Sequence, residues 1–262
     1  MQNFIFTKEK LMKNKYRISL AIACLALAAL ACQAVAGTPA DTNSNEVVPA
    51  DTSVPDVNVI PEPTQTEEPV SNSDVLFDED FSGGRTQWGT GTDADSAVEY
   101  VDDALNFQIF TKNFIVWTTP NDKNYENVHM EVTVINNGTD STTAFGFICN
   151  QQYPIDESHY YFAVTPFGQY AIAKAALAQT DLFLTNNDAW GHSDLIAKDA
   201  DSYRVGADCG NGKLTLYVDG QEVASVEDTT YTSGRIALFT WSGEEATTTN
   251  VSFDDFKMTQ LP

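Results

Sequence analysis

Apolar and polar residues alternate with a period of two through much of the chain after Asp74. In Ala104–Thr111 and Val128–Ile135, every second residue is a large apolar one. Side chains of a strand point alternately to its two faces, so this period predicts β-strands with one buried face. About a dozen such segments recur at roughly 8–12-residue intervals, and none has the period of an amphipathic helix. Residues 75–262 are therefore predicted to form one all-β sandwich or barrel.

Short turn signals separate several of the predicted strands. Asp219-Gly220 lies between Leu214–Val218 and Glu222–Val226, and both turn residues tolerate positive φ, so a hairpin is predicted there. Lys112-Asn113 separates Ala104–Thr111 from Phe114–Thr119. The shortness of this connection predicts a second tight hairpin.

The first 32 residues have the pattern of an export signal. A basic segment precedes Ile18–Ala31, which is apolar apart from one serine and too short for a membrane span. The segment Ala28–Cys32 is typical of a lipobox, which favours lipidation of Cys32. Ala34-Val35-Ala36 offers an alternative site for ordinary signal peptidase. Met12 suits translation initiation better than Met1, so we expect that residues 1–11 come from a reading frame assigned too far upstream.

Residues 33–74 are predicted to be a disordered tether. They contain six of the chain's 10 prolines, eight acids, no Lys or Arg and no aromatic residue. Such a segment buries too little apolar surface to offset the entropy lost on ordering, and prolines and like charges extend it. The tether is expected to hold the folded domain away from a membrane, to which only the lipid would bind.

The mature chain is strongly acidic. The full sequence has 14 Lys+Arg and 37 Asp+Glu, of which five basic residues and one acid precede Cys32. The remaining 9 basic and 36 acidic residues give a formal charge of −27. A surface this negative repels phosphate backbones, which argues against nucleic acid as a partner.

The order of elements resembles the concanavalin A-like lectin/glucanase sandwich, in the laminin-G-like or keto-disaccharide hydrolase-type form found in exported bacterial lipoproteins. Six segments carry the resemblance: Leu76–Ser82, Phe145–Cys149, Tyr160–Val164, Leu214–Gly220, Ser233–Leu238 and Val251–Phe256. The resemblance implies a jelly-roll β-sandwich of two antiparallel sheets. It does not imply one activity, because this fold hosts lectins, glycosidases and adhesion modules.

The carboxylates do not have the spacing of a laminarinase-type glycosidase. Such enzymes carry Glu-x-Asp-x-x-Glu on one strand, which places two carboxylates on one face for a retaining mechanism. The nearest clusters, Asp78–Asp80 and Asp254–Asp255, lack this spacing and lie on the terminal strands. Phosphate-loop, paired-Cys zinc and nucleophile-elbow motifs are also absent from the sequence. No catalytic residue is predicted.

Two cysteines of the sandwich region are predicted to form a disulfide. Cys149 shares its face with Phe145 and Phe147, and Cys209 shares its face with Tyr203 and Val205. Both faces are expected to point into the core, and an exported protein can form disulfides. Two separately buried thiols are the alternative.

The opposite faces of these strands suggest a shallow, concave sugar-binding site. Small residues alternate there with a few rings and hydrogen-bonding side chains, which suits stacking on sugars and pairing with hydroxyls. The predicted ligand-binding residues are His159, Tyr161 and Arg204, with Trp190 and His192 at the rim. The alternative is an ordinary solvated sheet face and a packed loop tryptophan.

A structural calcium ion is a further hypothesis. If the first and last strands pair, Glu79 shares a face with Phe77 and Phe81, and Asp255 shares a face with Phe253. Two inward carboxylates repel each other unless a cation lies between them, and calcium takes oxygen ligands. The alternative is that each acid caps backbone amides or reaches solvent.

Three functions remain open from the sequence. The first is a surface-anchored carbohydrate-binding or adhesion module without catalysis, with a glycan as its partner. The second, implied by the resemblance, is a hydrolase of 3-keto-glycosides. The third is a structural protein of the cell envelope.

Overall fold

The computed structural model describes residues 74–82, 87–155, 158–245 and 248–262. The predicted leader with Cys32, the alternative cleavage site and the tether up to residue 73 lie outside the described residues. The described part contains sixteen strands and no helix, and hence no helix long and apolar enough to cross a membrane.

The strands follow one another along the chain with short connections. In order they are β1 (Val75–Glu79), β2 (Gly91–Thr92), β3 (Ser96–Val101), β4 (Ala104–Ile109), β5 (Ile115–Thr118), β6 (Val128–Asn136), β7 (Ala144–Gln151), β8 (His159–Val164), β9 (Gln169–Ala175), β10 (Leu182–Phe183), β11 (Gly191–His192), β12 (Ser202–Gly210), β13 (Lys213–Val218), β14 (Gln221–Glu227), β15 (Arg235–Trp241) and β16 (Thr249–Gln260).

These strands form two antiparallel sheets, as the resemblance implied. Sheet A has nine strands in the order β14-β13-β12-β6-β16-β4-β3-β2, and β1 also pairs with β16. Sheet B has seven strands in the order β10-β9-β8-β7-β15-β5, and β11 also pairs with β9. The larger hydrophobic core consists of the inward side chains of both sheets, among them Phe107, Phe253, Phe145 and Phe162.

The predicted disulfide is confirmed, and it crosses this core. Cys149 on β7 of sheet B is bonded to Cys209 on β12 of sheet A, with 6.6 Å between their Cα atoms. Both residues are fully buried. The inward faces of β7 and β12 are thus tied together across the sandwich, 60 residues apart in sequence.

The predicted hairpin at Lys112-Asn113 is wrong. β4 pairs with β3 and β16 in sheet A, whereas β5 pairs with β15 in sheet B. The short connection crosses from one sheet to the other, and the Asn113 N–H donates to the Gly243 carbonyl. A short connection permits a hairpin, but an amphipathic strand can equally cross to the facing sheet, which buries the same apolar side.

The first and last strands pair as expected, with Glu79 opposite Phe256, but the prediction that Asp255 points inward together with Glu79 is wrong. Glu79 is buried and accepts a hydrogen bond from the Phe81 N–H. Asp255 lies at a β-bulge in β16, has a φ of 50° and has a side chain 67% exposed. The extra residue reverses the alternation of faces, so this carboxylate points outward.

The calcium hypothesis therefore loses one of the two inward carboxylates on which it depended, because Glu79 is buried and Asp255 is exposed. Within the described ranges, no group of three or more His, Cys, Asp or Glu side chains is arranged to hold a metal ion.

Candidate functional site

The outer faces of the two sheets differ sharply in chemistry. The outer face of sheet A is polar: Asn106 donates to Asn250 and Ser252, and Arg204 donates to Glu131. The outer face of sheet B instead carries a second apolar cluster, separate from the core. All sixteen described strands belong to sheets A and B, so no third layer of described strands covers this cluster.

Small residues line the middle of this outer face around Ile148 on β7. They are Ala144 and Gly146 on β7, Ala163 on β8 and Ala171 and Ala173 on β9. At Gly146 a side chain is excluded, since a Cβ there would lie 2.0 Å from the Phe162 carbonyl oxygen. The surface over these strands is consequently low, with larger side chains on both sides of it.

Six aromatic side chains surround the small residues, and we call them the aromatic face: Trp117, Tyr161, Phe183, Trp190, Phe239 and Trp241. The rings of Trp190 and Phe183 are 5.7 Å apart, and those of Tyr161 and Phe239 are 5.9 Å apart in an edge-on arrangement. Trp117 is the cross-strand partner of Phe239. The aromatic face thus extends across sheet B from β10 to β5.

Tyr161 is a polar group within the aromatic face. Its hydroxyl is hydrogen-bonded to the Asp181 carboxylate. Burial raises the pKa of Tyr161 well above its ordinary value, and the charges of Asp181 and Asp188 raise it further. The hydroxyl therefore stays protonated and keeps donating to Asp181 at any physiological pH.

An unusual turn presents Trp190 to this face. Asn186, Asn187 and Asp188 have φ values of 54°, 56° and 63°. Among residues other than Gly, Asn and Asp tolerate this left-handed conformation best, which explains the composition of the turn. The Phe183 N–H donates to Asp188 Oδ1 at 2.8 Å, and the Tyr170 hydroxyl donates to Asn186 Oδ1 at 3.2 Å. The turn is thereby fixed to the strands beneath Trp190.

Four of the five predicted ligand-binding residues belong to sheet B or its connections. Tyr161 and Trp190 are members of the aromatic face, and the His159 ring lies 6.2 Å from that of Tyr161. His192 is exposed on β11 at the edge of the sheet, where its ring lies 6.0 Å from Phe167.

Arg204 does not join them, and its predicted place in this site is wrong. It lies on β12 in sheet A and donates to the carbonyl oxygen of Asp255 at 2.7 Å and to Thr133 at 3.2 Å. β12 faces β7 across the core, as the Cys149–Cys209 bond shows. The outer faces of the two sheets consequently point in opposite directions.

The same side of sheet A carries a charged network around His129. Its Nδ1 lies 2.6 Å from Asp208 Oδ1, and its Nε2 lies 3.3 Å from Glu131 Oε1. Burial of the imidazole favours its neutral form, but the hydrogen bonds to Asp208 and Glu131 outweigh burial and raise the pKa of His129 to about 9. The hydrogen bond from His129 in turn lowers the pKa of Glu131 to about 2, burial opposing the shift and Arg204 supporting it.

This network predicts a stability that falls at alkaline pH. The pKa of His129 is raised above its ordinary 6.5, so its contribution is complete below pH 6.5 and is lost as pH rises through about 9. We expect about 1–2 kcal/mol of unfolding free energy to be lost, because residual contact with water reduces the full value of ~3 kcal/mol. Urea unfolding between these pH values measures the loss. His129→Gln should flatten the profile and His192→Gln should not; equal slopes in all three proteins would contradict the assignment.

Several residues of the site were missed by sequence reasoning: Trp117, Asp181, Phe183, Asp188, Phe239 and Trp241. One signal for them was present. Ile236–Trp241 is apolar at nearly every position. Ile236 and Leu238 face the core, whereas Phe239 belongs to the outer apolar cluster of sheet B and Trp241 packs against that cluster. A strand that is apolar on both faces indicates that its outer face has a partner.

No protein-family model and no curated protein matches this sequence. Solved structures do resemble the domain. A Bacillus subtilis protein of unknown function with a galectin-like fold superposes with a TM-score of 0.54 at 12% identity, over 71% of this chain and 96% of that one. A structure of the endo-acting O-glycanases expressed by members of the human gut microbiota gives 0.51 at 12% identity, over 72% and 100%. The catalytic domain of an endo-1,3-β-glucanase (laminarinase) from Thermotoga petrophila RKU-1 gives 0.50 at 9% identity, over 71% and 97%.

At these identities the likeness concerns the fold alone. The described strands form a concanavalin A-like jelly-roll sandwich, which confirms the fold that the sequence resemblance implied.

Proposed function

We propose that this protein is a carbohydrate-binding protein without catalytic activity, and that the aromatic face is its binding site. The observation that carries the proposal is the contrast between the two outer faces. The outer face of sheet A is polar and internally hydrogen-bonded, as a solvated surface should be. On the outer face of sheet B the small apolar residues, Trp117 and Phe239 are buried, whereas Tyr161, Phe183, Trp190 and Trp241 stay partly exposed, so four rings remain accessible to a ligand.

The chemistry of this face suits sugars. Aromatic rings bury the apolar C–H surfaces of a sugar ring, and their edges and polar tips leave room for hydroxyl contacts. Trp190 and Trp241 are half-buried, so each keeps part of its ring surface available. The carboxylates of Asp181 and Asp188 are exposed beside the rings and can accept hydrogen bonds from sugar hydroxyls. Similarity in fold to a laminarinase and to O-glycanases supports a glycan as the ligand.

The placement of carboxylates favours binding over hydrolysis. Glycosidases of the common mechanisms need two carboxylates about 5–10 Å apart that flank the scissile bond. Described outward positions on β5, β7, β8 and β15 carry small or aliphatic residues, aromatic residues, His159 and Arg235, and no carboxylate. The acids at this face, Asp181 and Asp188, lie at its β10 edge, where Asp181 is hydrogen-bonded to Tyr161 and Asp188 to the backbone of Phe183.

The amino-terminal region completes the proposal. A leader ending at Cys32 and an acidic, proline-rich tether would deliver the sandwich outside the cell and hold it away from the membrane. There it would attach the cell to a glycan. The disulfide in the core agrees with export, because such bonds persist in oxidising compartments.

Binding of the purified protein to a glycan array tests the function directly. Tyr161→Ala should weaken binding to the best array ligand by about 1–2 kcal/mol, or roughly 5- to 30-fold in Kd, because a ring in the middle of the site is lost. Phe110→Ala is the control, since Phe110 is exposed at the end of β4 in sheet A.

Three results would contradict the proposal. Binding to no glycan would remove the function, and equal weakening by both variants would remove the site. Turnover of a 3-keto-glycoside by the unmodified protein would replace binding by hydrolysis.

A further inference from the structure

The distribution of charge around the aromatic face bears on which glycans it can take. By the alternation of β15, Arg235 is the cation on the outer side of sheet B among the described strands, and it is already engaged. Its guanidinium lies 3.0 Å from Asp122 Oδ1 and 4.2 Å from the centre of the Tyr153 ring. Arg235 therefore already has partners, at the end of β15 and away from the aromatic face.

The other described cations belong to other surfaces or have partners. Lys174 on β9 donates to Asp228 at 2.8 Å and to Thr230 at 2.7 Å. Lys112 is 3.8 Å from Glu245 in the connections at the Trp241 end. The remaining ones lie over a loop ring, in the β5–β6 connection or in sheet A: Lys198, Lys123, Arg204, Lys213 and Lys257.

The acids, by contrast, border the site. Asp181 accepts the hydroxyl of Tyr161, which is a member of the aromatic face. Asp188 accepts the N–H of Phe183, whose ring packs against Trp190. Both carboxylates are exposed. A bound sugar that touches Trp190 or Tyr161 lies within a few ångströms of them.

Building on the proposed function, we infer that the aromatic face is selective for uncharged glycans and rejects glycans with uronate, sialate or sulfate groups. Among the described residues, an anionic sugar would find two carboxylates at this face and no Lys or Arg that lacks another partner or surface, and like charges placed together discriminate strongly between ligands. Stacking does not depend on ligand charge, so the uncharged form of the same sugar keeps its full affinity. Asp181 and Asp188 are the residues that determine this specificity.

The experiment compares matched ligands on the full chain. Each neutral oligosaccharide backbone is printed beside its sulfated and its uronate-containing counterpart, and binding is measured at low and high salt. We expect anionic members to bind at least about tenfold more weakly than their neutral counterparts at low salt. The gap should narrow at high salt, since exposed charges are screened.

Two double variants separate the local acids from the general charge of the protein. Asp181→Asn with Asp188→Asn removes both charges and keeps one acceptor oxygen at each position. It should bring the anionic-to-neutral affinity ratio about tenfold closer to one. Glu222→Gln with Glu227→Gln removes the same charge from exposed positions on β14 in sheet A and should leave the ratio within about twofold.

The outcomes distinguish the inference from the function beneath it. Wild-type binding to anionic members as tight as to neutral ones overturns the inference and leaves glycan binding intact. An equal relaxation by both double variants also overturns it, because selectivity would then come from net charge. Binding to no array member overturns the proposed function itself.

Discussion

Removing the disulfide should lower the free energy of unfolding by about 4 kcal/mol. The bond between Cys149 and Cys209 closes an interval of 60 residues, and an open interval of that length gives the unfolded chain a large gain in entropy. For a domain of this size the loss corresponds to a melting temperature lower by roughly 8–16 °C. Chemical denaturation and calorimetry of the Cys149→Ala, Cys209→Ala double variant measure both quantities.

Reduction of the unmodified protein provides the matched comparison. Adding a reductant should bring its melting temperature down to that of the double variant, and the variant itself should not respond to the reductant. A difference in unfolding free energy below about 1 kcal/mol would show that the unfolded chain is already restricted without the bond.

The disulfide was predictable because the faces of β7 and β12 could be assigned from local alternation. Phe145 and Phe147 identify the buried face of one strand, and Tyr203 and Val205 identify that of the other. Alternation states which residues of a strand share a face. A core-facing cysteine on each of two strands is then enough to predict a disulfide between them.

The same alternation cannot state to which sheet a strand belongs. Arg204 and Tyr161 both occupy outward positions, and only the strand order shows that they point to opposite sides of the sandwich. The wrong prediction of a hairpin between β4 and β5 has the same cause, because a turn and a crossover leave the same alternation of apolar and polar residues. Long-range pairing decides both, and a single sequence does not encode it in any local pattern.

The bulge at Asp255 was unpredictable for another reason. One extra residue in β16 reverses the outward and inward positions on the two sides of the bulge. The left-handed conformation of Asp255 places its side chain beside Arg204, at 3.2 Å. No Gly or Pro marks the position, so strict alternation was extended through it.

The candidate site was predictable in part. Tyr161 was found because it lies opposite the core-facing Tyr160 and Phe162, and Trp190 because a tryptophan in a polar loop invites a functional explanation. Phe239 and Trp241 were missed, since large apolar residues of a strand are ordinarily assigned to the core. Here they pack on the outer side of sheet B, where an aromatic residue says more about function than one in the core.

Losing the two tryptophans at opposite sides of the aromatic face should nearly abolish glycan binding. Trp190 reaches the face from the turn before β11, and Trp241 lies on β15, with β9, β8 and β7 between them. Each ring is expected to contribute about 1.5 kcal/mol of stacking. Because the two are too far apart to share a contact, their losses should add, giving about 3 kcal/mol or more than 100-fold in Kd for a long oligosaccharide.

Chain length supplies the control for this Trp190→Ala, Trp241→Ala double variant. Strands within a sheet are about 4.8 Å apart, so the interval from β15 to β11 spans about 19 Å, which a single sugar cannot bridge. A monosaccharide or disaccharide should therefore lose affinity in one single variant and not in the other, whereas a long oligosaccharide should lose it in both. If a long ligand is insensitive to Trp241→Ala while Trp190→Ala weakens it, the binding site is confined to the β10–β11 edge and does not extend across sheet B. Calorimetric titration with an oligosaccharide ladder distinguishes these cases, and unchanged melting temperatures show that the variants remain folded.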